Sequence, residues 1–508
     1  MTNILSDPLF SAGVGYLSKT RAKIKRLPWR YVEHMRKLNN KTATSIFEKK
    51  SLQDIHDEIR QIYLSDNRPW VIGYSGGKDS TTVLQLVWYS LKGLPVEKRQ
   101  KLVYVISTDT LVETPVIVDF INQTLKRIQD ISIREHMPFK TEKLRPLISQ
   151  SFWVNLIGRG YAAPQQRFRW CTDRLKIQPS NRFIQEKISK YGEVVIVLGA
   201  RRQESATRAQ VMSLYQIPNS VLSRHSKFPR AYVYTPIRDW TVDDVWYYLL
   251  QVPSPWGNDN RDLVALYQSA QGECPLVIDD TTHSCGNSRF GCWVCTVVKK
   301  DKSISALINS GEEWLMPLLE IRNLLASTQD PKLKPIYREY KRRQGFVSFK
   351  SDGSGVISRG PYKLEFCKEL LRMVLNAQMR VRKEGPDPHI QLILPEELQE
   401  IRRIWRMERG DWEDSVPKIY REVTGEDLDW VSDDVSFSSK EKSLLAEVCQ
   451  KHNIPLQLLI KLLDAGLLTQ GMEKRASIYN RIDQILFEEW RTEEELISSN
   501  VSGMGNDI

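Results

Sequence analysis

The 508-residue sequence contains no apolar run of about 18 residues, so no segment reads as a membrane-spanning helix. No secretory pattern opens it, and the expected location is cytoplasmic. Internal repeats and low-complexity tracts are missing, which argues against a solenoid or a long linker. The Walker A pattern, with four residues between its glycines and a Gly-Lys-Ser/Thr ending, is absent as well. Cysteine is scarce: there are seven, and four of them fall between positions 274 and 295. In a chain without a signal pattern that concentration points to metal binding or catalysis and away from disulfides.

What is present suffices for two to four domains of ordinary size. Hydrophobic residues make up 41% of the chain, with 14 Trp, ample for a core. Lys and Arg outnumber Asp and Glu by 73 to 62, and the resulting net charge of +11 suits a polyanionic partner.

The most informative stretch is Trp70-Val-Ile-Gly-Tyr-Ser75-Gly76-Gly77-Lys78-Asp79-Ser80-Thr81. It reads as a short buried strand, a glycine turn, and a helix with Val83, Leu84, Leu86, Val87 and Leu91 on its apolar positions. Two glycines free the backbone at the turn, and the first helical N–H groups stay unpaired. Those donors, the helix dipole and Lys78 together make an anion site. A ligand-free Gly-rich turn is the alternative.

Downstream, strand and helix patterns alternate to about residue 250. Lys101–Ser107, Val194–Gly199 and Tyr232–Pro236 are the other strand candidates. Continuous apolar strands separated by helices imply a doubly wound, mostly parallel α/β sheet with ligands at its carboxyl edge. Arg201, Arg202 and Arg208 follow one such strand and could clamp phosphate oxygens; a plain surface arginine loop is the other possibility. Thr241 and Asp244 fit a capping box, with Val245 and Trp246 facing a core.

Ser75–Ser80 resembles the PP-loop of ATP pyrophosphatases (adenine nucleotide alpha hydrolase-like proteins). That segment, Thr108-Asp109-Thr110…Glu113-Thr114, Gly199-Ala-Arg201-Arg202…Arg208 and Asp239-Trp240-Thr241 occur in the order of PAPS reductase-like enzymes. The resemblance covers about residues 68–250. It implies ATP and Mg²⁺, with Ser75, Gly76, Gly77, Lys78, Asp79, Ser80, Asp109, Gly199, Arg201, Arg202 and Arg208 around the nucleotide. Lys78, Asp79, Cys171, Arg202 and Arg208 are the catalytic candidates. Arg169-Trp170-Cys171-Thr172…Lys176…Pro179 resembles the reductases' cysteine-pair segment, but Thr172 replaces the second cysteine. Cys171 stands among Arg169, Arg174 and Lys176, cations that favour a thiolate; a polar structural cysteine is the alternative.

Cys274, Cys285, Cys292 and Cys295 form C-x10-C-x6-C-x2-C. Structural zinc sites usually use two close pairs, and only one is present, so the spacing suits an iron–sulfur cubane better. His283 could replace one ligand. With the nucleotide motifs in front of it, this cluster resembles the DndC family, sulfur-incorporating proteins of bacterial DNA phosphorothioation. That resemblance implies ATP pyrophosphatase activity, a [4Fe–4S] cluster, DNA as acceptor, a cysteine desulfurase as sulfur donor, and the partners DndD and DndE. PAPS or APS reductases, tRNA thiolases and an ATP-responsive DNA-binding module remain alternatives.

The expected organisation is a basic helical extension over 1–67, the nucleotide domain over 68–265 and the cysteine segment over 266–300. A helical region follows over 301–494, then a disordered tail over 495–508. Arg21–Lys37 interleaves cations with aromatics. Arg380, Arg382, Lys383 and then Arg402, Arg403, Arg406 and Arg409 form stripes that are either solvated faces or phosphate contacts.

Overall fold

The computed structural model describes residues 44–166, 168–264, 291–351, 354–431, 439–468 and 476–504. The basic stretch Arg21–Lys37, His283 and two of the clustered cysteines, Cys274 and Cys285, lie outside them. The chain divides into two compact units. One comprises residues 1–146, 169–319 and 385–387; the other comprises 147–168, 320–384 and 388–508.

In the first unit, helix α1 (Leu52–Leu64) buries Ile55, Ile59 and Ile62 and is capped by a reciprocal Ser51–Asp54 box. The sheet is built from β1 (Trp70–Gly73), β2 (Val103–Thr108), β3 (Phe139–Leu144), β4 (Val194–Val197), β5 (Ser223–Arg224) and β6 (Ala231–Tyr234). Its spatial order is β3-β2-β1-β4-β6-β5. All neighbours are parallel except β5 against β6. Sequence patterning located four of these six strands. It missed β3, whose Lys140, Glu142 and Lys143 interrupt the apolar run, and the two-residue β5.

Between the strands lie α2 (Lys78–Lys92), α3 (Pro115–Arg134), α4 (Gln178–Tyr191) and α5 (Ala206–Leu214), with α6 (Val242–Gln251) after β6. One sheet face, with Trp70, Ile72, Val103, Val105, Val195 and Val197, packs on α1, α2, α3 and α6. The other, with Val71, Tyr104 and Ile106, meets Phe183 of α4. Apolar residues on both faces explain why these strands read as unbroken runs. The capping box at α6 is present, and Val245 and Trp246 are buried. Asp244 additionally accepts a hydrogen bond from Ser45 Oγ at 2.5 Å, tying the entry of the described chain to this helix.

β1 sits centrally, with β2 on one side and β4 on the other. The topological switch point therefore lies at the carboxyl ends of β1 and β4, where open α/β sheets form ligand crevices.

After α7 (Lys302–Asn309) and α8 (Met316–Ser327), the second unit continues with α9 (Lys334–Tyr337), α10 (Leu364–Glu384), α11 (Pro395–Glu408) and α12 (Ser415–Thr424). Its core includes a π-helical turn, Val154–Gly158, from the stretch 147–168, which no sequence signal separates from the nucleotide domain. Trp405 of α11 donates its indole N–H to the Ile157 carbonyl at 3.0 Å, and Trp153 donates to Leu392 O at 2.7 Å. The expected helical bundle after 439 is α13 (Ser439–Lys451), α14 (Leu456–Leu468) and α15 (Ala476–Leu486). The tail departs from expectation: α16 runs Glu493–Met504. Thr492 and Glu495 cap it reciprocally, at 2.7 and 3.3 Å, and Leu496 is buried. No helix among the described residues is long and apolar enough to cross a membrane.

The cations of the α11 stripe differ in their partners. Arg402 makes two 2.8 Å bonds to Asp414, Arg403 two to Glu400, and Arg409 donates to the Tyr362 carbonyl. Arg402 is thereby held within the fold, whereas Arg403 is 53% exposed and makes a surface pair.

Glu397 of α11 is fully buried and accepts the Leu394 N–H at 2.9 Å. Burial pushes its carboxyl up to about 7, against the Ser151 hydroxyl and the Leu394 amide, which favour the anion. The folded chain thus keeps a proton that the unfolded chain releases between about pH 4.5 and 7, so stability falls as pH rises through that window. Glu397→Gln is expected to exceed the parent by about 1–3 kcal/mol at pH 8 and to match it at pH 4, read as the shift in urea midpoint.

Candidate active site at the carboxyl edge of the sheet

Gly76 takes a left-handed backbone with φ +72°, which lets β1 turn straight into α2. Gly77, the N-cap, offers no side-chain cap to the start of the helix, the kind of terminus that receives an anion. The Ser75 N–H donates to Ser80 Oγ at 3.2 Å, and the Ser80 and Thr81 hydroxyls each donate to Gly77 O at 2.9 Å, which stiffens the loop. Val83, Leu84, Leu86, Val87 and Leu91 are all fully buried, as their spacing predicts, and anchor the helix behind it.

Asp79 carries two ion pairs: Lys78 Nζ at 2.9 Å and Arg201 Nε at 2.6 Å. Arg201 follows β4, which pairs with β1 through Trp70↔Val195 to Ile72↔Val197, and this register delivers the arginine to the loop. Gly199 makes the approach possible. A Cβ there would fall 2.7 Å from the Asp79 carbonyl carbon and oxygen. Arg201 is 3% exposed, and its Nη1 has no hydrogen-bond partner among the described residues. A buried guanidinium N–H without an acceptor is costly unless an anion occupies the site.

The three predicted arginines do not act alike. Arg202 pairs with Asp239 at 3.0 Å and is partly exposed, although its Nε is buried without a partner among the described residues. Arg208 sits on exposed α5, ion-paired with Glu204, and its N–H is capped by Ser205. Asp109 is buried after β2, with Lys143 Nζ at 3.0 Å, Arg145 Nε at 3.1 Å and the Leu111 N–H at 3.0 Å. Burial opposes its ionisation, but Lys143, the Leu111 amide and Arg145 outweigh it and hold the carboxyl below its usual range. Asp79 and Asp109 thus both carry protein cations here.

The loop after β2 also seats the cysteine turn. Glu113 pairs with Cys292 in an antiparallel bridge, the Trp293 N–H donates to Val112 O at 3.0 Å, and Thr110 Oγ1 lies 3.3 Å from Cys292 Sγ. Trp293 and Val294 are each 1% exposed and fix the turn, which closes through Cys295 N–H to Cys292 O at 3.1 Å. Lys176, at 3.9 Å from Glu113, is drawn to the same place; Cys292 first, then Glu113, raises its pKa against burial. Burial pushes the Cys292 thiol up to about 11, the Lys176 ammonium opposing it. Burial and then Cys295 likewise raise Cys171. The expected low-pKa thiolate at Cys171 is not favoured: Lys176 feels Cys292 more strongly than Cys171, and desolvation dominates at Cys171.

Sequence reasoning quoted Thr110, Glu113 and Lys176 but gave none of them a part in the cysteine site. Only the pairing of residues 112–113 with 292–293 shows it. Among the described residues, no three His, Cys, Asp or Glu side chains gather closely enough to hold a metal ion. The two described cluster thiols do fit iron–sulfur ligation in donor chemistry, being soft, close in sequence and beside an ammonium and a hydroxyl.

Residues 69–298, the stretch holding this sheet, loop and cysteine turn, match the family model of the phosphoadenosine phosphosulfate reductase domain. That match covers less than half of the chain and marks residues 69–298 as similar to this domain. An uncharacterized protein of Methanocaldococcus jannaschii is 26% identical over 241 residues, 47% of this chain and 39% of that protein. A second from the same organism is 27% identical over 266 residues, 52% of this chain and 49% of its own length. The chain spans less than half the length of either.

Among solved structures, PAPS reductase from Candida auris shares 14% identity, covering 44% of this chain and 87% of its own at a TM-score of 0.25. The U34-tRNA thiolase NcsA from Methanococcus maripaludis with its [4Fe-4S] cluster shares 13%, covering 56% and 80% at 0.26. Scores this low carry no inference about the present chain.

Proposed function

We propose that this chain is an ATP pyrophosphatase that adenylylates a DNA backbone phosphate and so supports replacement of a non-bridging oxygen by sulfur. The supporting observation is Arg201: a buried guanidinium, paired with Asp79 beside the loop lysine, with an N–H that lacks a partner among the described residues. A non-bridging phosphate oxygen is a very poor leaving group and needs activation. In this scheme the acceptor oxygen attacks the α-phosphorus of ATP and the bond to the β,γ-pyrophosphate breaks. Pyrophosphate departs into the cradle of Gly76–Ser80 amides, with Lys78 and Arg201 neutralising its developing charge. AMP then becomes the leaving group when a sulfur nucleophile attacks the acceptor phosphorus. Cys274, Cys285, Cys292 and Cys295 would hold a [4Fe–4S] cluster, which supplies sulfur and electron handling when bound. Lys176 and Thr110 stabilise thiolate charge at Cys292, and Cys171 is the neighbouring thiol available to carry a persulfide from a cysteine desulfurase. DndD and DndE are the partners this scheme entails.

The test is product analysis with ATP, DNA and desulfurase. AMP and pyrophosphate are expected; ADP with orthophosphate would falsify the scheme. Cys292→Ala is expected to abolish the iron chromophore while ATP cleavage stays within about threefold of the parent. The domain match favours a second reading, reduction of an adenylylated sulfate. Thr172 in place of a second cysteine counts against it, and a sulfite-release assay decides.

A further inference from the structure

Residues 332–363 of the second unit carry nine Lys or Arg against two acids, Glu339 and Asp352. Part of this segment is a hairpin arm. Lys350 N–H donates to Val356 O at 2.9 Å, Ser358 N–H donates to Ser348 O at 2.7 Å, and Phe349 bridges Ile357. Its near end is a tight turn closed by Arg342 N–H to Phe346 O at 2.7 Å, with Gly345 left-handed at φ +86°. Along the arm, Phe346 is 47%, Phe349 37% and Val356 46% exposed, and Arg342, Arg343 and Lys350 beside them are exposed too.

Two features separate this from an ordinary solvated face. Half-exposed apolar side chains lie among cations, and such surfaces usually mark a binding site. The cations also crowd one another. Burial and then Arg338 and Lys350 lower the pKa of Lys334, while burial lowers that of Arg338 with Arg342 and Arg359 adding to it. Like charges held together by a fold are relieved by a bound polyanion. Within the segment Arg359 is held by Glu493, and Arg343 pairs with Glu408 at 3.8 Å and donates to the Tyr161 hydroxyl at 2.9 Å. Arg342, by contrast, donates only to the Arg359 carbonyl at 3.1 Å, and Lys350 has no ion pair among the described residues.

We propose that this arm binds a nucleic-acid strand, with its phosphates on Arg342, Arg343 and Lys350 and exposed bases against Phe346 and Phe349. Charge complementarity favours it, and aromatic faces beside cations suit bases beside phosphates. The proposal rests on the reading of DNA as acceptor and gives that DNA a place on the chain.

The test is fluorescence anisotropy of the full chain with a labelled single strand and the matching duplex, across a salt series. Arg342→Gln/Arg343→Gln/Lys350→Gln is expected to weaken both and to flatten the log–log salt slope by about 2, roughly 0.7 per lost phosphate contact. Phe346→Ala/Phe349→Ala is expected to weaken the single strand about tenfold, the duplex less, and to leave the slope unchanged. Parental affinity and slope in both variants overturn the proposal, whatever protein the arm then captures. If the Phe variant shifts the unfolding midpoint, the slope of the Gln variant decides alone. Loss of strand binding without pyrophosphate formation would sink the adenylylation scheme and leave the arm standing. Pyrophosphate formation with both arm variants binding as the parent sinks only the arm.

Discussion

Arg201→Ala is expected to lower acceptor-dependent pyrophosphate release by about 10²–10³-fold, the usual loss when a preorganised charge partner of the transition state is removed. The guanidinium is buried, bonds Asp79 Oδ1 at 2.6 Å through Nε, and keeps an unpartnered Nη1 for phosphate oxygen. Without it Asp79 keeps only Lys78, at 2.9 Å, and the carboxylate draws that ammonium away from the nucleotide. Arg201→Lys restores the charge but not the fork, so it is expected to recover only part of the rate. Arg202→Ala is the contrast. Its partner is Asp239 and its side chain is 37% exposed, so a loss of less than about tenfold is expected. Pyrophosphate release at saturating ATP, with the folded state checked by urea unfolding, separates the two. Equal losses would remove Arg201 from its assigned position.

Gly199→Ala is expected to abolish nucleotide binding. The new methyl would stand 2.7 Å from the Asp79 backbone carbonyl and 2.9 Å from the Ser80 nitrogen, and backbone cannot rotate aside as a side chain can. Either β4 retreats, taking Arg201 with it, or the first turn of α2 shifts and the amide cradle opens. Overpacking of this kind costs about 1–3 kcal/mol in stability. Gly466→Ala on α14 is the control: nothing lies within 4 Å of its Cβ, and alanine in a helix is favoured by about 0.5–1 kcal/mol. Calorimetric titration with ATP reads the first effect and urea midpoints the second. ATP binding at parental strength in Gly199→Ala would show that strand β4 does not support the loop.

The glycine turn, the helix behind it and the apolar strands were legible because each is a local pattern. Val103–Thr108 and Val194–Val197 announce themselves by unbroken hydrophobicity, and the α6 cap by two residues three apart. β3 was hidden because it is an edge strand, so its polar side chains meet water and the run breaks. The stretch 147–168 gave no sign of leaving the nucleotide unit, since only its packing against α11 assigns it elsewhere. Arg201, Arg202 and Arg208 looked equivalent, as did the cations flanking Cys171.

By itself, then, the order of residues determined a glycine-turn strand–turn–helix, an α/β sheet and a concentration of thiols. These follow from backbone freedom at glycine and from hydrophobic periodicity, both set by near neighbours. Tertiary structure decided which arginine reaches the loop, that Lys176 and Glu113 attend Cys292, and that Arg402 is held by Asp414 while Arg342 and Lys350 of the hairpin arm have no ion pair among the described residues. Such choices depend on strand order, with β1 beside β4, and on pairing between residues 112–113 and 292–293. Contacts so far apart in the chain leave no imprint on local composition, and charge goes wherever packing carries it.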